Sequence, residues 1–397
     1  MTDMKVFPIL FTTLILSGCG GGGETQTADG GIGGTGVSWG RVTGFGSIYL
    51  NDIKYETTTT SYQFEEPTRV DQSDLKVGMV VRITGSNDGV NGEAETVEYA
   101  DLLEGTVSGN DIAGSSSLTV MGQTVIVDLD TIYDDGGTGI LLADLAIDAV
   151  IEVSGFSDGL GVIYATRIEV KSAAWNGADQ LEVKGIVQNL VANRFSLGGL
   201  TVDWSVASLP DGTPQEGTYV EAKGNSFNGA IFEADEVETE GDGDLEWAED
   251  GEELEIEGIV TTDIDDVTNQ FTLNGQTVQI TASTEFEDGN SDEILAGTPL
   301  EVEGTMDGTL LIASEIEFGT DSADKQEVED TVASVDLGAG SFTTVLGGQT
   351  FVTTTSTIFV DENDQFFSLA SLNPGENVDV TYVDNGGVLT ATKVERE

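Results

Sequence analysis

The sequence predicts an all-β protein: a row of five small, very acidic β-barrels of five to six short strands each, behind a cleaved signal peptide and a flexible Gly-rich tether. Three observations predict this. One short strand pattern, Ala-x-x-Val/Ile-Glu, occurs five times. An alternating apolar/polar segment precedes each copy, which is the signature of a half-buried strand. The chain has 52 Gly against 6 Pro, which favours many tight turns over proline-rich spacers.

The first element is an address. Met4-Lys5 precedes an apolar run from Val6 to Leu16, too short to span a bilayer but matching the apolar core of a signal peptide. Leu16-Ser17-Gly18-Cys19 resembles the bacterial lipobox, in which the cysteine is acylated, palmitate-type chains included, and becomes the first mature residue. Residues 1–18 are then the signal peptide, and 19–36 the lipidated Cys19 with its tether. Gly20 at the next position implies, by resemblance to enterobacterial lipoproteins, an outer-membrane lipoprotein facing either the periplasm or the cell surface.

Each unit opens with a short strand carrying Gly-x-Val, at Gly40-Val42, Gly105-Val107, Gly185-Val187 and Gly258-Val260; the fifth unit has Asp330-Thr331-Val332 instead. A glycine there permits a close backbone approach or a bulge, so the fifth unit is expected to be distorted at this point. A hairpin follows, clearest in Phe271-Thr272-Leu273-Asn274-Gly275-Gln276-Thr277-Val278. A longer strand and a short crossover with room for one helical turn come next. The alternating strand then appears at Val81-Ile83, Ile151-Val153, Val220-Ala222, Leu300-Val302 and Val378-Val380, closed by Gly in four of the five. After another turn comes the Ala-x-x-Val/Ile-Glu strand, at Ala94, Ala165, Ala234, Ala313 and Ala391, spaced by 71, 69, 79 and 78 residues. Its two apolar positions lie three apart, which breaks strict alternation and calls for a β-bulge.

The units fall at 37–101, 102–170, 181–239, 254–318 and 327–397, with linkers at 171–180, 240–253 and 319–326. The acidic 240–253 segment reads as the main hinge, extended by self-repulsion. Five or six curved strands with one crossover suit a small OB-like barrel, which leaves no exposed edges; a two-sheet sandwich stays open as the alternative. The Gly-x-Val opening, the hairpin at 271–278, Leu300-Glu301-Val302-Glu303-Gly304 and Ala313-Ser314-Glu315-Ile316-Glu317 resemble a bacterial domain-of-unknown-function family, number 5666, found repeated in lipoproteins. The resemblance spans most of 37–396, is best in the fourth unit, and implies a fold without an assigned activity.

The composition excludes much. The chain holds 72 Asp+Glu against 14 Lys+Arg, a formal net charge of −58, which opposes nucleic-acid binding. With no His and a single Cys, internal disulfides, thiolate or imidazole metal sites and nucleophile–base triads are closed. Only hard, oxygen-loving cations fit, and Ca²⁺ is the cofactor expected if there is one. Three clusters set oxygens two apart: Asp242 and Asp244; Asp288, Asn290 and Asp292; Asp361 and Asn363 beside Asp364. None completes an EF-hand loop; each also reads as a solvated loop. The recurring Glu98, Glu169, Glu238, Glu317 and Glu395 read as solubilising residues on exposed strand faces. Trp175 and Trp247, in linkers, are candidate sugar-stacking platforms, whereas Trp204 reads as core. The function expected is a non-catalytic envelope lipoprotein for binding, adhesion or spacing, with a polysaccharide or envelope protein as its partner. A Ca²⁺-binding structural rod is the alternative, and a carboxylate-pair glycoside hydrolase a further one.

Overall fold

The computed structural model describes residues 36–65, 69–239, 248–265, 267–319, 325–361, 365–385 and 387–396. These residues are all-β, in several sheets. Among them no helix is long and apolar enough to cross a membrane.

The last unit gives the plan of the rest. Its strands are β27 (Lys325–Asp336), β28 (Ser341–Thr344), β29 (Thr350–Asp361), β30 (Asn377–Asn385) and β31 (Val388–Arg396), closed in the order β27-β28-β29-β31-β30. All pairings are antiparallel except β29 with β31, which is parallel. That pairing needs a crossover, and the 3-10 turn at Leu369–Ser371 lies within it. The same ring closes in the second unit through β7 (Leu103–Asp111), β8 (Ser117–Val120), β9 (Gln123–Ile126), β11 (Val150–Ser157) and β12 (Val162–Ser172). It closes in the fourth through β21 (Glu253–Asp265), β22 (Gln270–Leu273), β23 (Gln276–Gln279), β25 (Pro299–Asp307) and β26 (Leu310–Phe318). The first and third units follow the same order with broken strands.

The bulge that the sequence calls for is present. Pairing slips by one residue between Thr84 and Gly85, Ser154 and Gly155, Glu303 and Gly304, and Thr381 and Tyr382. The residue skipped is Glu95, Thr166, Ser314 or Thr392, inside the Ala-x-x-Val/Ile pattern. The alternating strand ends in glycine because the bulged backbone presses on it. A Cβ on Gly155 would stand 2.1 Å from the Tyr164 carbonyl oxygen, and one on Gly304 2.4 Å from that of Ile312. A threonine then pins the bulge: the Thr60, Thr131, Thr284 and Thr357 hydroxyls donate to the carbonyls of Ala94, Ala165, Ala313 and Ala391 at 2.7–2.8 Å. In the fifth unit the buried Asp330 replaces the opening glycine, and its carboxylate accepts the Leu346 N–H at 3.0 Å, taking over the contact the glycine would have allowed.

The units are not beads held apart. Strand β1 (Gly36–Arg41) pairs in parallel with β21, so the first and fourth barrels share one sheet, and Val37 belongs to the fourth barrel's core. Strand β7 pairs antiparallel with β13 (Leu181–Ile186), and the second and third barrels share one continuous core. Val77, Ile132, Ile358 and Val360 form a smaller buried cluster among the first, second and fifth barrels. This differs from a string hinged at acidic linkers. The alternating strands bury apolar residues inside each barrel, and the outward faces meet one another. Of the expected hinge, residues 240–247 lie outside the described residues.

Candidate functional site

Outward faces of so acidic a chain meet only where the charge is managed, and two junctions show how. At the first, the first, second and third barrels converge. Lys184, on β13 and almost fully buried, lies 2.7 Å from Glu65, 3.1 Å from Glu221 and 3.5 Å from Glu182. Lys223 reaches Glu65 at 3.1 Å. Beside them, Arg69 grips Glu152 with bonds of 3.0 and 2.9 Å, while Lys171 donates to the same carboxylate at 2.8 Å and the Tyr99 hydroxyl at 2.8 Å. Two carboxylate triads, Glu65/Glu182/Glu221 and Asp101/Glu104/Glu152, have oxygens within 4.8 Å of one another. The lysines thread the first and the Arg69–Lys171 pair saturates Glu152 in the second, so side-chain cations already stand where a metal ion would. Burial pushes the Glu182 carboxyl up to about 11 and the Asp101 carboxyl up to about 7, the neighbouring carboxylates adding to both.

The second junction encloses a cavity of about 350 Å³ among the first, second, fourth and fifth barrels. One wall is balanced. Arg41, at the end of β1, places Nε 2.9 Å from Glu257 Oε1, and its backbone N–H donates to Glu257 Oε2 at 2.8 Å. Lys325 lies 2.7 Å from Asp130, and the Thr392 hydroxyl, on the bulge of the last strand, donates to Asp130 at 2.9 Å. Burial alone would raise the Asp130 carboxyl; Lys325 and Arg41 outweigh it and hold it below the usual range. Asp52, Asp288, Glu301 and Glu317 also line the cavity. Burial, with Glu255, Glu317, Glu257 and Asp52 around it, pushes Glu301 well above the ordinary carboxylate range. Burial and the facing Asp52, Glu287 and Asp288 raise Glu317 to about 7. Seven carboxylates line the cavity against two cations.

The residues picked from sequence fall as follows. Asp288 lines the cavity. Asn290 caps the 3-10 turn Ser291–Glu293: its Oδ1 accepts the Asp292 N–H at 3.0 Å, and Glu293 returns a bond to the Asn290 N–H at 2.9 Å. Asp292 is exposed in that turn. Asp361 accepts the Gln365 N–H at 3.0 Å and lies 3.8 Å from Arg396. Cys19, Asp242, Asp244, Trp247, Asn363 and Asp364 lie outside the described residues. Trp175 is partly buried against the core shared by the second and third barrels, as is Trp204. The recurring glutamates are half-buried rather than exposed, because the outward strand faces are the junctions. Glu98 pairs with Arg82, Glu169 lies 3.7 Å from Lys171, Glu317 lines the cavity, and Glu395 lies 3.9 Å from Lys393. Arg41, Lys184 and Lys325 were missed; the signal was their rarity in the chain.

Fold and junctions define a class: an all-β chain of tandem small closed barrels fused through charged seams. Residues 104–169, 257–317 and 331–395 match the family described as Domain of unknown function (DUF5666), and these are the second, fourth and fifth barrels. The matches fall in three tandem segments, consistent with tandem modules of that family. No curated protein matches it. Among solved structures, a Drosophila chain described as Unr CSD456 aligns at 16% identity over 54% of this chain and 96% of that one, with a TM-score of 0.14. At that score the likeness carries no weight for fold or function.

Proposed function

We propose that the chain is a non-catalytic, lipid-anchored element of the outer membrane, whose OB-like barrels assemble into one acidic body for binding, adhesion or spacing. The observation that carries this reading is the pair of charged seams. Arg41, Arg69, Lys184, Lys223 and Lys325 each bridge different barrels, which makes the barrels one body rather than separate domains. The strand order, with the third and last strands parallel and a crossover before the fourth, supports the OB-like architecture. The Leu16-Ser17-Gly18-Cys19 sequence supports acylation and export. The surface charge favours a polysaccharide or an envelope protein as partner and disfavours nucleic acid.

The test is palmitate labelling and membrane fractionation of the wild-type chain beside Cys19→Ser. Label and outer-membrane recovery that both vanish in the variant support the reading. An unlabelled wild-type chain recovered in the soluble fraction overturns it.

A further inference from the structure

The opening strands of the five barrels align on Val42, Val107, Val187, Val260 and Val332. In each unit that valine's N–H and carbonyl both bond, at 2.8–2.9 Å, to the turn just before the alternating strand. Backbone groups alternate in direction along a strand, so those of the preceding residue face the other way. The Thr331 carbonyl does so, accepting the Val345 N–H at 2.9 Å. The residues three and five before the valine therefore offer an N–H and a carbonyl to an outer edge.

Four of the five barrels use that edge to join another barrel. In the first and fourth, Val37 and Trp39 flank Glu255 in the parallel pairing of β1 with β21. In the second and third, Glu182 lies opposite Glu104, and the Lys184 N–H donates to the Leu102 carbonyl at 3.3 Å. All eight residues at these positions are buried or half-buried. The fifth barrel is left over. Among the described strands β27 pairs only with β28 and β30, and Glu327 and Glu329, at the same two positions, are exposed.

The two seams also show what meets an acidic barrel at this edge. The fourth barrel's Glu257 meets Arg41, from the opening strand of the first. The second barrel's opening strand meets that of the third, which carries Lys184. In the fifth barrel Glu329 stands opposite Asp379, and Asp379 opposite Glu395. Asp379 Oδ1 is buried without a hydrogen-bond partner, and the barrel's own Lys393 lies 3.9 Å from Glu395.

We propose that the outer edge of β27 binds an extended segment of a partner protein that carries Lys or Arg at alternate positions, adding it as a strand to the fifth barrel. This deepens the binding reading above and rests on it for the existence of a partner. Backbone pairing with Glu327 and Glu329 supplies affinity, and the basic side chains, all on one face, meet the two glutamates and Asp379. A second copy of the chain lacks that charge. Pairing two β27 strands about Val328, in the register that sets Val183 opposite Leu103, would put Glu327 against the partner's Glu329.

The experiment uses the mature chain in detergent and a short peptide that alternates Lys with Val, read by fluorescence anisotropy and by hydrogen exchange. A copy of the peptide methylated at every backbone nitrogen keeps the charge and loses the hydrogen bonds, which separates strand addition from general attraction to an acidic protein. Glu327→Pro removes an outward N–H and no bond to β30. Glu329→Lys reverses the charge, and Asp292→Lys makes the same change in an exposed turn elsewhere. The expected result is one-to-one binding that slows exchange of the Glu327 and Glu329 amides. Affinity falls about tenfold or more with the methylated peptide, in Glu327→Pro and in Glu329→Lys, and changes little in Asp292→Lys. If Glu327→Pro fails to fold, the methylated peptide and Glu329→Lys decide. Equal binding of the methylated peptide overturns the proposal, as does a Glu329→Lys effect no larger than that of Asp292→Lys. Self-association of the chain alone that protects the same two amides also overturns it, because the edge would then be filled by a second copy. Each of these failures would leave acylation and membrane recovery untouched, and the anchored-body reading stands or falls by that separate test.

Discussion

Replacing Asp101 by Asn should stabilise the chain at pH 8 and scarcely change it at pH 4. Asp101 is 6% exposed at the junction of the first three barrels, within the carboxylate triad it forms with Glu104 and Glu152. Burial raises its carboxyl from 3.8 to about 7; Glu152, Glu65 and Glu104 add to the rise, and Lys184 opposes it. The folded carboxyl thus binds its proton more tightly than the unfolded one. Between about pH 4 and pH 7 the folded state keeps a proton that the unfolded chain has lost, so stability falls as pH rises through that window. At about 1.4 kcal/mol for each pH unit of that window, the penalty reaches about 4 kcal/mol above pH 7 as an upper bound. Relaxation of the neighbouring carboxylates lowers it to an expected gain of about 2–4 kcal/mol for Asp101→Asn at pH 8, and under about 1 kcal/mol at pH 4. Hydrogen exchange of amides at the junction reads it directly: the Leu102 N–H, next to Asp101, bonds to the Val153 carbonyl at 3.1 Å, and the Lys184 N–H crosses from the third barrel to the Leu102 carbonyl at 3.3 Å. Exchange reports local opening and does not need a single global transition, which a five-barrel chain need not have. A variant that opens more readily than wild type at pH 8 would refute the reasoning, because the anion would then be the favoured form.

Three other outcomes follow from the same geometry. Gly155→Ala puts a methyl 2.1 Å from the Tyr164 carbonyl oxygen and 3.0 Å from the Ala165 Cα, so β11 or the bulge must shift; the loss should be about 1–3 kcal/mol, read from the melting of the second and third barrels, and a neutral result would deny that the bulge needs glycine. Lys325→Met leaves Asp130, 3% exposed, with Arg41 at 3.9 Å as its remaining ion pair, at a cost of about 3–5 kcal/mol seen as faster exchange in β27; adding Asp130→Asn should restore part of it. Raising NaCl from about 0.01 M to about 1 M, which shortens the screening length from about 30 Å to about 3 Å, should raise the melting temperature, since exposed like charges are screened and the buried pairs are not; a fall would mean that exposed ion pairs dominate instead.

The order of elements was legible because each depends on neighbours in the chain. The broken alternation in Ala-x-x-Val/Ile named the bulge, and Asp330 in place of glycine named the unit whose opening differs. Local polar clusters were less legible. Asn290 and Glu293 stand at the spacing of a capping box, and the structure uses them as one, yet oxygens at alternate positions drew attention to metal loops. The threonine that pins each bulge was also readable, since Thr60-Ser61-Tyr62, Thr131-Ile132-Tyr133, Thr284-Glu285-Phe286 and Thr357-Ile358-Phe359 recur at one place in their units. What could not be read was the meeting of outward faces. The pairing of Val37 with Leu254, or of Val183 with Leu103, joins residues whose partners no periodicity within a unit can specify.

The outward faces explain why the recurring glutamates are half-buried. The last strand of each unit pairs with the alternating strand, and opposite the glutamate stands Arg82, Glu152, Glu221, Glu301 or Asp379. One step further round, on the opening strand, stands Trp39, Glu104, Lys184, Glu257 or Glu329. Each barrel thus presents the same three-strand rung, and its charge differs from unit to unit. The third barrel has Lys184 in its rung and the first has Arg82, whereas the second, fourth and fifth carry acids at all three positions. Like charges opposite one another on a sheet are destabilising, so an all-acid rung must borrow cations, take protons or hold an ion. The second barrel's rung borrows Arg69 from the first barrel and adds its own Lys171. The fourth barrel's rung has Arg41 from the first barrel at Glu257, and at Glu301 and Glu317 it faces the cavity. The same repeated strand geometry that fuses the barrels therefore leaves Glu301 and Glu317 among buried like charges, and both carboxyls are raised above their ordinary range.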